Sequence, residues 1–318
     1  MGLLVDGQWR NDWYEPDSEG RFRRPATSFH GRVRDDAESN HHAVSGRYHL
    51  YASYACPWAQ RTLIARSRLG LQEHIGLAIV DPHMGSDGWA FSNFPGCMPD
   101  EILGAKFLRD VYLAADPHYT GRVTTPVLWD REENAIVNNE SRDIMRMLDS
   151  EFAALAAPGT SLLPACGVDS VDRVLDELYE PVNNGVYRAG FATTQAAYDE
   201  ACNLLFEQLD RWDLELATRR YLCGATVSEA DVALYVTLVR FDLVYYSHFK
   251  CNVRRIQDYA NLWNYLKDLY QSPGFGETTD LRHIKIHYYW SQPTVNPTQV
   301  VPLGPSIDLS GPHDRDRF

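Results

Sequence analysis

The sequence predicts two halves of different class, a mixed α/β half followed by an all-helical half. Three observations carry this expectation. A strand–helix–strand unit runs from Tyr48 to Asp81, two short strands and a helix follow between Thr125 and Leu148, and from about residue 168 every periodic stretch is helical. Tyr48–Ser53 reads as a short strand. Pro57 suits a first helical position, Trp58, Leu63, Ile64 and Leu69 recur at helical spacing, and Gly70 can end that helix. Gly76–Asp81 reads as a buried second strand. Pro82 to about Arg122 is loop-rich and holds Trp89, Phe91, Phe94 and Cys97; its length suggests a functional insertion or a lid. Thr125–Trp129 and Ala135–Val137 are strands joined by a turn over Arg131–Asn134. Asn138 or Asn139 is expected to cap the next helix, whose Ile144, Met147 and Leu148 share a face.

In the second half, Val171, Val174, Leu175 and Leu178 form one helical face, and Ala201, Leu204, Leu205, Leu209 and Trp212 form another. Residues 229–246 are apolar on nearly all sides, which predicts a central buried helix. Ser228 and Asp231 form a capping-box pattern at its start, with Val227 and Val232 in the staple positions. The expected organisation is an extended arm over 1–47, a thioredoxin-like domain over 48–160, a helical domain over 168–280 and an ordered, aperiodic tail over 281–318.

The chain has 318 residues, 44% of them apolar, enough for two cores. Its net charge of −13 argues against a nucleic-acid partner, which requires a basic face. No stretch is long and apolar enough to span a bilayer. The opening MGLLVDGQWR carries an acidic residue and no apolar run, unlike a secretory signal, and Asp6 stands where a myristoylation site needs Ser or Thr. A soluble, cytoplasmic protein is the expectation. Of the six cysteines, Cys56, Cys97, Cys166, Cys202, Cys223 and Cys251, none form C-x-x-C, which predicts a reducing compartment and mostly buried thiols. The sequon Asn139-Glu140-Ser141 then carries no meaning. His283 and His287 stand four apart, but no H-E-x-x-H pattern or zinc-like cysteine spacing accompanies them, so no metal is expected.

Cys56 carries the chemistry. It follows a strand and directly precedes a helix in Ala55-Cys56-Pro57-Trp58-Ala59. Partial positive charge and unpaired N–H groups at a helix start favour a thiolate, so Cys56 is the expected nucleophile. Ala59 stands where a dithiol enzyme places its second cysteine, so a mixed disulfide on Cys56 must be resolved by an external thiol, for which glutathione is the cytosolic candidate. A cis bond at Thr125-Pro126 would turn the Thr125 backbone outward to pair with a peptide-like ligand; an ordinary edge-strand proline fits equally well. Glu140 and Ser141 lie at a helix start, where Ser141 can hold a carboxylate and Glu140 an ammonium; taken alone, the pair fits plain capping better. Tyr187, Tyr245, Tyr246, Tyr288 and Tyr289 are most simply packing residues when considered singly.

A Cys at the first helix and Glu-Ser at the third, in this domain order, resembles the glutathione transferase superfamily. Longer strings resemble one branch of it, the Xi-class glutathionyl-hydroquinone reductases. These are Tyr54–Arg61, Gly121–Asp130, Ile136–Ser141, Asn183–Phe191, His248–Asn252, His287-Tyr288 and Asn296-Pro297-Thr298, and the likeness covers nearly the whole chain. The resemblance implies a dimeric enzyme that reduces S-glutathionyl-hydroquinones, chlorinated ones included, to free hydroquinones with glutathione as co-substrate. It implies Cys56 as nucleophile, glutathione held by Trp89, Thr125, Pro126, Glu140 and Ser141, and an aromatic site lined by Tyr187, Tyr245 and Tyr288. A broader thioltransferase, a dehydroascorbate reductase and a non-catalytic glutathione-binding scaffold are the alternatives. Three positions depart from the family: Thr125 stands where Val is usual, His30 where Arg is expected, and Gln292 where His is common.

Overall fold

The computed structural model describes residues 2–34, 36, 39–164 and 167–318; Cys166 lies outside the described residues. The chain divides into two compact units. The first comprises Met1–Trp13, Pro25–Thr160 and Thr278–Ser291, and the second Tyr14–Arg24, Ser161–Glu277 and Gln292–Phe318.

The first unit opens on a hairpin, β1 (Leu3–Val5) and β2 (Gln8–Arg10), turned by Asp6 and Gly7 at positive φ. Two strands thus lie in the stretch expected to be an arm. Strands of three residues carry too little alternation to stand out. β3 (Tyr48–Ala52) is buried at every residue, as a central strand must be. From it Cys56 leads into α1 (Pro57–Arg68), which returns the chain to β4 (Ile75–Ile79), parallel to β3. A parallel pair needs such a crossover. Gly70 ends the turn after α1 at φ +71, and a Cβ there would also meet the Ala157 Cβ at 2.8 Å.

The segment after β4 is not wholly loop. It contains α2 (Leu108–Ala115), whose Asp110 accepts hydrogen bonds from the Lys106 and Phe107 N–H groups. Then β5 (Gly121–Arg122) pairs with β1, completing a small sheet of order β2-β1-β5. The main sheet closes with β6 (Val127–Asp130) and β7 (Ala135–Asn138), in the order β4-β3-β6-β7 with β6 antiparallel to both neighbours. Asn134, at φ +51, makes the turn between them. α3 (Ser141–Ser150) packs against α1. This is the mixed sheet and helix order of a thioredoxin-like half.

The second unit is helical: α4 (Val168–Leu178), α5 (Gly185–Gly190), α6 (Gln195–Glu215), α7 (Glu229–Arg240) and α8 (Ala260–Gln271). Every residue of α7 is buried, as its all-round apolar sequence predicts. The helix passes at Phe241–Tyr245 into a wider π-type turn, so the regular α geometry stops short of residue 246. The capping box at Ser228 and Asp231 forms as expected. The last helix, α9 (Leu281–Ser291), occupies sequence that was expected to be aperiodic tail, and it belongs to the first unit. Buried polar side chains masked its pattern: His283 and His287 lie inside because the carbonyls of Pro95 and Pro82 accept their ring N–H groups.

Candidate active site

Cys56 is the residue before α1, with extended backbone (φ −80°, ψ 121°) and Pro57 directly after it. The Cys56 side chain makes no capping hydrogen bond to this helix end. Ala55 and Ala59 around it are fully buried, yet Cys56 itself is partly exposed. Its Sγ lies 3.6 Å from the Thr125 carbonyl oxygen. Sulfur is a weak hydrogen-bond acceptor, and the N–H groups of a helix start carry partial positive charge. The remaining described cysteines differ from one another: Cys202 and Cys251 are buried, while Cys97 and Cys223 are partly exposed. The expectation of mostly buried thiols therefore holds for only part of the set. Burial pushes the Cys97 thiol up to about 11 and raises that of Cys202, which makes both poor nucleophiles at neutral pH.

The Thr125-Pro126 bond is cis. Thr125 is buried, its carbonyl faces Cys56, and its hydroxyl has no hydrogen-bond partner among the described residues. The second expected contact region is the start of α3. Here the cap is Glu140, which accepts from the Arg142 N–H at 3.3 Å, in place of Asn138 or Asn139. The two asparagines are committed elsewhere. Asn138 Oδ1 accepts from the Glu140 N–H at 2.7 Å. Asn139 exchanges backbone and side-chain bonds with Phe29, through Asn139 N–H to the Phe29 carbonyl and Phe29 N–H to Asn139 Oδ1, both at 3.1 Å. The Ser141 hydroxyl is buried and donates to Glu140 Oε1 at 3.4 Å, and the Thr27 hydroxyl donates to Oε2 at the same distance. His30, one of the departures, is exposed; its ring meets the Thr27 carbonyl and approaches Asp143 at 3.8 Å, and its backbone forms a β-bridge with Asn138.

Trp89 is buried in the segment between β4 and α2, and its indole stacks on the His287 ring at 4.5 Å and 18°. That segment is held along its length. Trp9 donates to the Ser86 carbonyl at 2.9 Å, Ser291 donates to the Pro82 carbonyl at 3.0 Å, and the Leu108 N–H donates to the Trp89 carbonyl at 2.9 Å. An insertion fixed at this many points is a built wall. Sequence reading missed the part of α9 here, because the signal is a contact between residues about two hundred positions apart.

The three tyrosines fall in different units. Tyr288 lies on α9 in the first, nearly fully buried. Tyr187 and Tyr245 lie in the second, where their rings meet edge to face at 6.0 Å. Phe249 stacks on Tyr245 at 5.5 Å, and the Arg24 guanidinium sits 4.7 Å from the Tyr187 ring centre. Gln292, another departure, accepts from His248 Nε2 at 2.9 Å. An amide oxygen can only accept, so this bond fixes the tautomer with hydrogen on Nε2. Burial pushes His248 down to about 4, so the ring stays neutral at physiological pH. Among the described residues no group of His, Cys, Asp and Glu could hold a metal ion.

Comparison with known proteins gives the family of the chain. Family models for the glutathione S-transferase N-terminal and C-terminal domains match residues 55–151 and 195–268. The glutathionyl-hydroquinone reductase PcpF of Sphingobium chlorophenolicum is 48% identical over 98% of both chains. The glutathionyl-hydroquinone reductase YqjG of Escherichia coli strain K12 is 47% identical over 99% of both chains. The glutathione-bound structure of YqjG superposes with a TM-score of 0.91, at 45% identity over the whole of both chains. The Xi-class transferase from Natrialba magadii gives 0.94, at 50% identity over 100% of this chain and 97% of that one. With both family domains in order and near-full-length identity to these relatives, the chain belongs to the glutathionyl-hydroquinone reductases, the Xi class of glutathione transferases.

Proposed function

We propose that this enzyme reduces S-glutathionyl-hydroquinones, chlorinated ones included, to free hydroquinones, with glutathione as co-substrate and Cys56 as nucleophile. The carrying observation is Cys56, partly exposed at an uncapped helix start, in a chain so close to named reductases of such substrates. In the first step the Cys56 thiolate attacks the glutathione sulfur of the substrate. The sulfur–ring bond breaks, the ring carbon keeps the electron pair and takes a proton, and a Cys56–glutathione disulfide forms. In the second step a glutathione thiolate attacks the glutathione sulfur of that disulfide, giving glutathione disulfide and the Cys56 thiolate. Ala59 supports this route, since it offers no internal thiol to resolve the adduct.

In this reading Trp89, Thr125, Pro126, Glu140 and Ser141 hold glutathione. The outward Thr125 backbone pairs with the peptide, and the α3 start receives its charged amino-acid end. Tyr187, Tyr245 and Tyr288 serve the aromatic ring, where phenolic O–H groups stabilise the charge that develops and help deliver the proton. Support for the tyrosines is the paired placement of Tyr187 and Tyr245 and the likeness of all three strings to the family. The same reading makes the protein a cytoplasmic homodimer, in keeping with a reducing compartment; no described helix is long and apolar enough to cross a membrane.

The test is a comparison of kcat/KM for a glutathionyl-hydroquinone, dehydroascorbate and a small mixed disulfide. The hydroquinone conjugate should be preferred, and a preference for either of the others would replace this reading with a broader thioltransferase. Within it, Tyr→Phe changes at 187, 245 and 288 should lower kcat/KM for the conjugate by roughly ten- to a thousandfold at one or more positions. Reduction of the small mixed disulfide should fall much less, because a thiolate leaving group needs no such proton. Wild-type rates in all three variants would remove the tyrosines from the site.

A further inference from the structure

We infer that Tyr112 is the positioning residue that holds the two glutathione-binding segments, Thr124–Pro126 and Asn139–Ser141, in mutual register. This rests on the proposed glutathione site and deepens it.

Tyr112 lies on α2, fully buried, in the core of the first unit. Its hydroxyl donates to the Thr124 carbonyl at 2.9 Å and accepts from the Thr124 N–H at 3.3 Å. It also accepts from the Asn139 side-chain amide at 3.1 Å. One phenol thus grips the residue directly before Thr125-Pro126 and the residue directly before Glu140-Ser141. These segments lie at the two ends of the β6–β7 hairpin and are the two that the proposed site asks to meet one tripeptide.

The grip extends to the amino-terminal segment. The same Asn139 side chain that donates to Tyr112 accepts from the Phe29 N–H, and the Phe29 ring meets the Tyr112 ring edge-on at 5.9 Å. Thr27, two residues earlier, reaches Glu140. Burial pushes the Tyr112 phenol up to about 12, so the hydroxyl remains a donor throughout the working pH range. A ligand bound through two separate segments pays entropy for any play between them, and fixing them beforehand lowers that cost. Among the described residues the Tyr112 hydroxyl bonds Thr124 and Asn139 and not the Cys56 sulfur, so its effect should fall on binding of glutathione and not on the chemical step.

The experiment is calorimetric titration with glutathione, together with steady-state kinetics, on the wild type, Tyr112→Phe, Ser141→Ala and Glu140→Gln. Tyr112→Phe keeps the ring and removes only the hydroxyl. Affinity should fall about tenfold, KM for glutathione should rise to match, and kcat should stay within about twofold. If Tyr112→Phe fails to fold, Asn139→Asp carries the test: it keeps an acceptor for Phe29 and removes the amide donor to the phenol, and affinity should fall about threefold. Unchanged affinity in the folded Tyr112 or Asn139 variant, while Ser141→Ala and Glu140→Gln lose binding, overturns the inference and leaves the site reading intact. Unchanged affinity in both Ser141→Ala and Glu140→Gln overturns the site reading, and the inference with it. A fall in kcat with KM unchanged would also overturn it.

Discussion

The starts of α1 and α7 are built from the same physics and put to opposite uses. At α7, Asp231 is fully buried and accepts from the Leu222 N–H, the Ser228 N–H, the Ser228 hydroxyl and the Tyr265 hydroxyl, at 2.6 to 2.8 Å. Burial raises its pKa against the pull of those donors. At α1, Cys56 holds the N-cap position that Ser228 holds in α7, its side chain makes no capping hydrogen bond, and the residue is partly open to solvent. A helix start has orphan N–H groups in either case. Where they are sealed by oxygen, the end contributes to stability. Where a poor acceptor leaves them unsealed, they remain available to an anion, whether a thiolate or a ligand group. The start of α3 lies between these extremes, capped by Glu140 through a long 3.3 Å bond yet facing the proposed ligand.

The largest expected effect breaks the comparison at the start of α1. Cys56→Ala should lower kcat/KM for a glutathionyl-hydroquinone by at least about a thousandfold. Its unfolding profile should stay close to wild type, since Cys56 contributes no cap. Activity surviving at a tenth or more of the wild-type rate would place the nucleophile elsewhere.

The difference between the two ends also explains what could be read from the sequence. The placement of Cys56 was legible because it depends on a local pattern: strand, cysteine, proline, helix. The α7 box was legible for the same reason, its partners being three residues apart. The α3 cap was misread because Asn138, Asn139 and Glu140 can all cap, and the choice is made by Phe29, about a hundred residues away. Tyr112 gave no signal at all, since a tyrosine in a short amphipathic helix looks like packing. Its role depends on Thr124 and Asn139 arriving from two other segments. The helix α9 was hidden likewise, because its histidines are buried only by virtue of distant carbonyls. Local patterns were legible, and so was the order of the two halves; tertiary partners were not.

At the sealed end, Asp231→Ala should cost on the order of 4 kcal/mol, because it strands several buried donors at once. Denaturant unfolding followed by far-ultraviolet circular dichroism would register this as an earlier loss of helix. Asp231→Asn should cost less, since an amide oxygen keeps part of the acceptor capacity. A loss under about 1 kcal/mol for the alanine variant would mean that water replaces the carboxylate, and the description of this end as sealed would be wrong.

The smallest effect is the sharpest test, because it asks whether one end can be converted into the other. Cys56→Ser replaces a weak sulfur acceptor with a hydroxyl, which is among the preferred capping groups. The backbone at position 56 is already extended (φ −80°, ψ 121°), the conformation a capping residue needs, so no rearrangement is required. The new hydroxyl can accept from an N–H of the first turn while the helix stays in place. Turnover should be lost as in Cys56→Ala, yet α1 should become more stable by about 0.5–1 kcal/mol. The first-turn amides of α1 should therefore exchange with deuterium about two- to fivefold more slowly than in wild type, where exchange reports local opening. This would show the stability that the native sequence forgoes to keep the helix start available to sulfur. Exchange as fast as wild type, or faster, would mean that Cys56 already seals the end, and the contrast between α1 and α7 would have to rest on residue chemistry alone.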